Sequence, residues 1–328
     1  MKAAIYEKYG SPDVLQIKEV EKPTPGDKEV LIKVYAATVN RTDCAMLRAK
    51  PFIMRFLTGL FKPKNPILGT DFAGIIKVVG KDVESFKIGD KVFGFDDNGI
   101  SSHAQFMTIS ADNALAIIPD NTSYEEATAS IEGAHYAYNI INKVALQIGQ
   151  RVLVNGATGA IGSALVQLLK YFDLNVTAVG NTKNIDLMKS IGADKVIDYT
   201  NEDFTRSNEK YDFVFDAVGK STFTKCKPLL INGGIYISSE LGPGAQNLFY
   251  SLATPISSKL PGTKGKKVIF PMPIDRHKSV LFVKSLIEES KFKAVIDRRY
   301  SLEEIADAFR FVEKGQKTGN VVITPNNS

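Results

Sequence analysis

Apolar and polar side chains alternate with a period of two over much of the first 120 residues. Residues 14–20 and 29–34 have this period, which is typical of half-buried β-strands. Residues 72–80 and 91–95 continue the pattern, and glycines within them indicate bulges or close approach of backbones. The N-terminal part of the chain is therefore predicted to form a tightly curved antiparallel barrel.

A different pattern begins at Ser123. Ser123 and Glu126 have the spacing of a capping box and predict the start of a helix. From there to about residue 272, short apolar stretches alternate with amphipathic stretches of helical length, which is the βαβ order of a parallel, doubly wound sheet. The strands predicted in this region are residues 152–155, 176–180, 195–199, 213–216, 235–238 and 268–270.

Helices are predicted between these strands and in the C-terminal tail. Residues 159–172 carry apolar side chains on one helical face. A helix over residues 185–191 is predicted to end at Gly192, since glycine favours the left-handed conformation that closes a helix. In the tail, Ser301 and Glu304 have the capping-box spacing. The tail is predicted to contain helices over residues 277–290 and 302–314 and a strand over residues 320–324.

The order of these patterns predicts two domains. A doubly wound α/β (Rossmann) domain over residues 123–293 is inserted into a β-rich domain, which consists of residues 1–122 and 294–328.

Composition and charge exclude several classes of protein. The 328 residues carry a formal net charge of +5 without a basic run, so binding to nucleic acid is not predicted. No apolar run approaches the roughly 18 residues of a membrane span, so no integral membrane segment is predicted. The N-terminus lacks a secretory apolar region, and the two cysteines are far apart. We therefore expect a reducing, cytoplasmic setting.

A glycine-rich turn follows the first strand of the predicted Rossmann domain. Gly156 and Gly159 permit a tight turn and close approach to a pyrophosphate, and Gly162 permits close packing of helix on strand. The amino end of the helix then offers free N–H groups to the anion. The turn residues predicted to contact a dinucleotide are Gly156, Ala157, Thr158, Gly159, Ala160 and Ile161.

The residues after the second strand favour NADP(H) over NAD(H). This strand ends at Gly180 without the Asp or Glu that usually holds the ribose hydroxyls of NAD. Lys183 can pair with the adenosine phosphate, and Thr182 can donate a hydrogen bond to it. Tyr199 at the end of the third strand is expected to pack nearby. The remaining predicted cofactor contacts lie at or just after the ends of later strands. They are Val218, Ser239 and Phe270.

Several motifs together carry a resemblance to a known family. Six segments are similar to motifs of the medium-chain dehydrogenase/reductase superfamily. They are residues 69–74, 79–80 and 89–94 in the barrel, and residues 156–162, 192–199 and 212–219 in the Rossmann domain. The chain most resembles the zinc-free, quinone oxidoreductase-like branch. The resemblance implies a GroES-like β-barrel catalytic domain in two pieces, an active site in the cleft between the domains, and a homodimer.

The residues do not predict a metal site. Zinc alcohol dehydrogenases of this superfamily carry a ligand Cys near the third strand and a His-Glu pair in the motif that begins here at Gly69. In this chain Cys44 falls beyond the ligand position, and Gly69 is followed by Thr70 and Asp71 in place of the His-Glu pair. His103, His135 and His277 lack metal-ligand spacing.

The resemblance implies a reductase that transfers hydride from NADPH to a quinone or an α,β-unsaturated carbonyl, with a small hydrophobic substrate. Asn40 matches an Asn of the branch and is predicted to lie near the nicotinamide or the substrate oxygen, with Asp43 organising its turn. Tyr136 is a second candidate catalytic residue, or a packing residue. Two alternatives stay open: a zinc-free alcohol dehydrogenase or ketone reductase, and a non-enzymatic sensor or adaptor that binds NADPH.

Residues 48–64, the aromatic-basic segment, combine two kinds of side chain. Apolar residues such as Phe52, Ile53, Phe56 and Phe61 are interleaved with Lys50, Arg55, Lys62 and Lys64. The segment is interpreted as an apolar lid over the cleft, a helix packed on its own domain, or a surface for a membrane or partner.

Overall fold

A computed structural model describes residues 1–52, 54–257, 265–272 and 274–326, without the side chains of Leu57, Pro243, Ile256 and Ser257. The strands are β1 (Lys2–Ile5), β2 (Gln16–Glu19), β3 (Glu29–Val39), β4 (Asp71–Val79), β5 (Lys91–Phe95), β6 (Phe106–Ser110), β7 (Leu115–Ile117), β8 (Arg151–Asn155), β9 (Asn175–Gly180), β10 (Lys195–Asp198), β11 (Tyr211–Asp216), β12 (Leu230–Ser238), β13 (Lys267–Ile269), β14 (Ile296–Ser301) and β15 (Asn320–Thr324). The α-helices are α1 (Arg41–Arg48), α2 (Met54–Thr58), α3 (Tyr124–Ala129), α4 (Glu132–Ile141), α5 (Ala160–Tyr171), α6 (Ile185–Ser190), α7 (Phe223–Cys226), α8 (Gln246–Ser257), α9 (Arg276–Glu288) and α10 (Ile305–Glu313).

The chain forms two compact units. Unit 1 comprises residues 1–132 and 276–328, and unit 2 comprises residues 133–275. The domain boundaries predicted after residues 122 and 293 differ from these limits. Helix α3 packs against β3, β4 and β15, and α9 packs against β5 and β7, so both helices belong to unit 1.

Unit 1 is built on a mainly antiparallel sheet with the strand order β14-β15-β3-β4-β5-β7, in which β6 also pairs with β3. The long strand β3 bends at two register shifts, which lets the sheet curve. The core of unit 1 is apolar, and α10 contributes Ile305, Phe309 and Val312 to this core at helical spacing. This is the curved β-domain that the alternating pattern predicted.

Unit 2 is built on a parallel sheet with the order β10-β9-β8-β11-β12-β13. The chain thus starts at the centre of the sheet, runs outward over β9 and β10, and then crosses to β11. In such a sheet, ligands bind where the direction changes, at the carboxyl ends of the strands. That point lies between β8 and β11.

Most predicted elements lie where the sequence placed them. The predicted helices correspond to α5, α6, α9 and α10, and the terminal strand corresponds to β15. Gly192 follows α6 with a φ of 106°, in the positive range that favours glycine. Within the described residues, no helix has both the length and the apolar character needed to cross a bilayer.

Candidate active site

The glycine turn joins β8 to α5 at the centre of the parallel sheet. Gly156 has a φ of 79°, and its N–H and that of Ala157 donate to the carbonyl oxygen of Val179 on β9. A Cβ on residue 162 would lie only 2.0 Å from the carbonyl oxygen of Gly156. The turn therefore requires glycine at both positions, for conformation at Gly156 and for close packing at Gly162.

The amino end of α5 is arranged to receive an anion. Its N-cap is Gly159, which has no side chain to accept from the first N–H groups of the helix. A Cβ on residue 159 would meet its nearest atom, the carbonyl oxygen of Gly156, at 3.7 Å, so the space above the helix end is open. Free N–H groups and the positive end of the helix dipole favour a phosphate there. This geometry fits the pyrophosphate of a dinucleotide.

The turn contacts the next central strand through Val218. The side chain of Val218, just after β11, occupies the space where a Cβ of residue 156 would lie. Ala157 is buried, and Ala160 and Ile161 form the first turn of α5. A methyl carbon of Thr158 lies 3.1 Å from the ideal Cβ position of Gly180. The predicted cofactor contacts in the turn therefore lie close to Val218 and Gly180, which were also predicted. All of them are near the point between β8 and β11 where the strand order changes direction.

Asp216, the last residue of β11, holds this edge of the sheet in place and was not predicted from the sequence. Its buried carboxylate accepts hydrogen bonds from Asn155 Nδ2 at 3.0 Å and from Tyr236 Oη at 2.9 Å. It also accepts from the backbone N–H of Gly219 and of Ser221. These bonds tie the ends of β8, β11 and β12 together. An acidic residue at the end of a central apolar strand is the signal that could have identified it.

Three other predicted contacts follow strands whose carboxyl ends form the same edge. Ser239 follows β12, and its buried hydroxyl has no hydrogen-bond partner among the residues that the structure describes. Phe270 follows β13 and is half-buried, whereas Tyr199 follows β10 and is exposed. The parallel topology thus brings all three residues to the edge of the sheet that the carboxyl ends of the strands form.

At the end of β9 the structure adds a carboxylate that the sequence analysis did not consider. Asp198 on β10 pairs in register with Gly180, so a carboxylate stands beside the strand that itself lacks one. Thr182 Oγ1 donates to Asp198 Oδ2 at 2.6 Å, and Thr200 also bonds to this carboxylate. These hydrogen bonds lower the pKa of Asp198, which is therefore ionised near neutral pH. The Thr182 hydroxyl is thus engaged with Asp198 in this structure, and its contact with the adenosine phosphate stays a prediction. Lys183 in the same turn is exposed.

In unit 1, Asn40 lies at the amino end of α1. Its Oδ1 accepts from the N–H of Asp43, and the Asp43 carboxylate accepts from the N–H of Asn40, which completes a capping box. Asn40 Nδ2 donates to Thr70 Oγ1 at 2.6 Å. Asp43 also accepts from the N–H of Gly69, so it organises two backbone segments. The second hydrogen of Asn40 Nδ2 has no acceptor among the described residues.

A buried polar cluster lies next to this cap. Asp71 accepts from the N–H and the hydroxyl of Thr38 and from the hydroxyl of Thr128. Burial nevertheless raises the pKa of Asp71 to about 6 and that of Asp43 to about 7. Burial lowers the pKa of His103 to about 4, so its ring is neutral at pH 7 and Nε2 can donate to the carbonyl oxygen of Thr38 at 2.8 Å. The 3.9 Å approach of His103 to Asp43 is therefore not an ion pair.

Tyr136, the second candidate catalytic residue, lies on α4 in unit 2 and is partly exposed. Its ring packs edge-on against His135, with centroids 5.5 Å apart. Asn40 and Tyr136 thus belong to different units. The contact with His135 is consistent with a packing role for Tyr136, and its catalytic role stays a prediction.

Comparison with known proteins shows which family the chain belongs to. Residues 26–137 match the model of an alcohol dehydrogenase GroES-like domain, and residues 191–323 match that of a zinc-binding dehydrogenase. The chain is 31% identical to 2-methylene-furan-3-one reductase of Solanum lycopersicum, over 99% of this chain and 79% of the relative. It is 30% identical to the chloroplastic quinone-oxidoreductase QR1 of Triphysaria versicolor, over 99% and 98%. The chain belongs to the medium-chain dehydrogenase/reductase superfamily.

A solved structure of the superfamily has the same fold. The quinone oxidoreductase from Coxiella burnetii superposes with a TM-score of 0.85 at 25% identity, covering 99% of both chains. The predicted combination of a GroES-like domain and a parallel-sheet Rossmann domain is thereby confirmed.

Some members of the superfamily hold zinc, which needs a group of His, Cys, Asp or Glu side chains as ligands. Within the described residues, His, Cys, Asp and Glu form no group of three or more that could hold a metal. The carboxylates of Asp43 and Asp71 are already occupied by backbone and hydroxyl donors.

Proposed function

We propose that this protein is an NADPH-dependent, zinc-independent reductase of quinones or α,β-unsaturated carbonyls. The observation that carries the proposal is the uncapped amino end of α5 beneath the glycine turn, with Lys183 exposed in the turn after β9. Such a site binds a pyrophosphate, and a cation beside the adenosine ribose favours a phosphate on that ribose. The relatives named as a quinone oxidoreductase and an enone-type reductase support the substrate class.

The residues that would hold NADPH lie at one edge of the unit 2 sheet. The turn of residues 156–162 would bind the pyrophosphate, Lys183 would pair with the adenosine phosphate, and Val218, Ser239 and Phe270 would line the remainder. Bound NADPH supplies the hydride for the acceptor. Asp198 would keep Thr182 in place and thereby position the backbone that carries Lys183.

Asn40 is the proposed donor to the substrate oxygen. The capping box and Thr70 fix its side chain, and one amide hydrogen remains available. A fixed donor stabilises negative charge that develops on oxygen during reduction. Because a single amide is a weaker electrophile than zinc, conjugated acceptors, which delocalise that charge themselves, fit this site better than simple ketones.

The test is an assay of NADPH oxidation, measured by the decrease in nicotinamide absorbance. The acceptor is a quinone, a short-chain enone or a saturated ketone. We expect turnover of the quinone or the enone, little with the ketone, and the same rate after treatment with a chelator. Loss of activity with the chelator, restored by zinc, would contradict the zinc-independent mechanism. Tight binding of NADPH without turnover of any acceptor would indicate a binding protein instead.

Lys183→Glu is expected to raise the KM for NADPH about tenfold to a hundredfold, because a charge-assisted hydrogen bond is worth roughly 1.5–3 kcal/mol. The KM for NADH should change little, since NADH lacks the phosphate. Lys189→Glu is the matched control: it makes the same charge change on an exposed residue at the other end of α6. An equal rise in both KM values for Lys183→Glu would show that Lys183 does not recognise the phosphate.

The homodimer and the reducing, cytoplasmic setting remain part of the proposal. The half-buried Cys44 and the buried Cys226 are compatible with a reducing compartment, because burial raises the pKa of both thiols and keeps them protonated.

A further inference from the structure

The aromatic-basic segment exposes several large apolar side chains. Phe52 and Phe56 are each 65% exposed, Phe61 is 87% exposed, and Leu60 is 44% exposed. Ile53 lies outside the described residues, and nothing is described of the Leu57 side chain. Neighbouring exposed aromatic rings on one surface segment are unusual for a soluble protein and mark an interaction surface. Helix α2 packs on the unit 1 core through Met54, whereas these rings stay exposed.

The segment is also strongly basic. No Asp or Glu occurs between Asp43 and Asp71. The same stretch contains five basic residues, as many as the formal net charge of +5 of the whole chain: Arg48, Lys50, Arg55, Lys62 and Lys64. Arg48 pairs with Glu313 at 2.6 Å. Across the described part of the chain, no carboxylate forms an ion pair with Lys50, Lys62 or Lys64, and all three are exposed. The segment thus presents uncompensated positive charge around its exposed rings.

The fold holds this surface in place. The Arg55 guanidinium lies over the ring of Tyr9 at 5.0 Å and donates to the carbonyl oxygen of Leu60. The hydroxyl of Tyr9 bonds to Thr58 Oγ1 at 2.9 Å and to the carbonyl oxygen of Gly59. The turn that carries Leu60 and Phe61 is therefore attached to the barrel, and its rings point to solvent from a fixed base.

We propose that the aromatic-basic segment binds the surface of an anionic phospholipid membrane, with Phe52, Phe56 and Phe61 inserted at the level of the headgroups and Lys50, Lys62 and Lys64 paired with phosphates. Aromatic rings and lysines favour this interface, since the rings leave water and the ammonium groups stay hydrated beside lipid anions. Charge complementarity selects this partner over an uncharged surface or a second, equally basic copy of this segment. The inference does not depend on the reductase activity.

The test is co-sedimentation of the full-length protein with vesicles of phosphatidylcholine alone or mixed with phosphatidylglycerol. We expect binding only to the mixed vesicles, and weaker binding as salt is raised. Phe61→Ser should lower the partition coefficient roughly tenfold, and Lys62→Glu with Lys64→Glu by at least about tenfold. All these side chains are exposed, so the variants should melt at the temperature of the wild type.

The matched controls lie in unit 2. Phe249→Ser removes another exposed phenylalanine, 67% accessible, and Lys143→Glu with Lys189→Glu reverses two exposed lysines elsewhere. These variants should bind vesicles like the wild type, and an equal loss in them would overturn the proposal. Absence of wild-type binding to mixed vesicles would also overturn it. In that case, if Phe61→Ser lost a self-association that the wild type shows, the surface would be assigned to contact with a second copy. If Phe61→Ser instead had a raised KM for a water-soluble quinone, the segment would be assigned to a lid.

Discussion

Gly162→Ala is expected to destabilise the protein by about 3 kcal/mol and to abolish measurable NADPH binding. The new Cβ would lie 2.0 Å from the carbonyl oxygen of Gly156 and 2.9 Å from the Cα of Ala157. Both atoms belong to the backbone of the turn, so neither can move aside as a flexible side chain could, and overpacking of this kind typically costs 1–3 kcal/mol, occasionally more. The turn must shift, and its N–H groups then no longer converge on the anion.

Gly159→Ala provides the comparison within the same turn. Its methyl group would meet the nearest atom at 3.7 Å, and the φ of −75° suits alanine, so stability should change by less than about 1 kcal/mol. The methyl group would occupy the open space above the helix end, and we expect NADPH affinity to fall about tenfold. Thermal melting with and without NADPH distinguishes the two effects. If Gly159→Ala bound NADPH like the wild type, the pyrophosphate would have to lie elsewhere.

Asn40→Ser is expected to lower kcat about a hundredfold and to cost only about 1 kcal/mol of stability, from the lost hydrogen bond to Thr70. Serine caps a helix about as well as asparagine, so α1 should retain its amino end. Serine lacks the amide, however, and the loss of one preorganised donor to a developing oxyanion typically costs a factor of 10²–10³. The measurement is kcat with a quinone, together with the KM for NADPH, which should change little.

Asn40→Asp separates the donor role from the capping role. Aspartate also caps well, but its carboxylate cannot donate to the substrate oxygen and would repel negative charge there. We therefore expect a fall in kcat at least as large as that of Asn40→Ser. If both variants melted like the wild type and kept full activity, Asn40 would be a capping residue only. If both lost activity only in proportion to lost stability, the residue would act on the fold.

Local patterns predicted much of the structure of the candidate cofactor site. The strand before Gly156, the three glycines and the amphipathic α5 are close in sequence, and each has a conformational reason that does not depend on the rest of the chain. The capping box at Asn40 and Asp43 is equally local. Helix and turn geometry relates residues within a few positions, so spacing alone is informative there.

Contacts between separate strands could not be predicted in the same way. Asp198 stands beside Gly180 only because β10 pairs with β9 in that register, and no feature of β9 itself reveals a carboxylate. Asp216 likewise connects β8, β11 and β12 through hydrogen bonds to Asn155 and Tyr236. Both depend on strand order and register, which are decided by packing over long sequence separations.

The sequence by itself therefore determined the superfamily, the glycine turn, the absence of an acid at the end of β9 and the local cap at Asn40. Only the tertiary structure decided which side chains surround these positions: Val218 against Gly156, Asp198 against Thr182, and Thr70 against Asn40. It also decided that Phe61 faces solvent, since the sequence pattern alone left a lid, a packed helix and a surface open. The physical reason is that a residue's type limits its interactions, whereas packing selects the partner it meets.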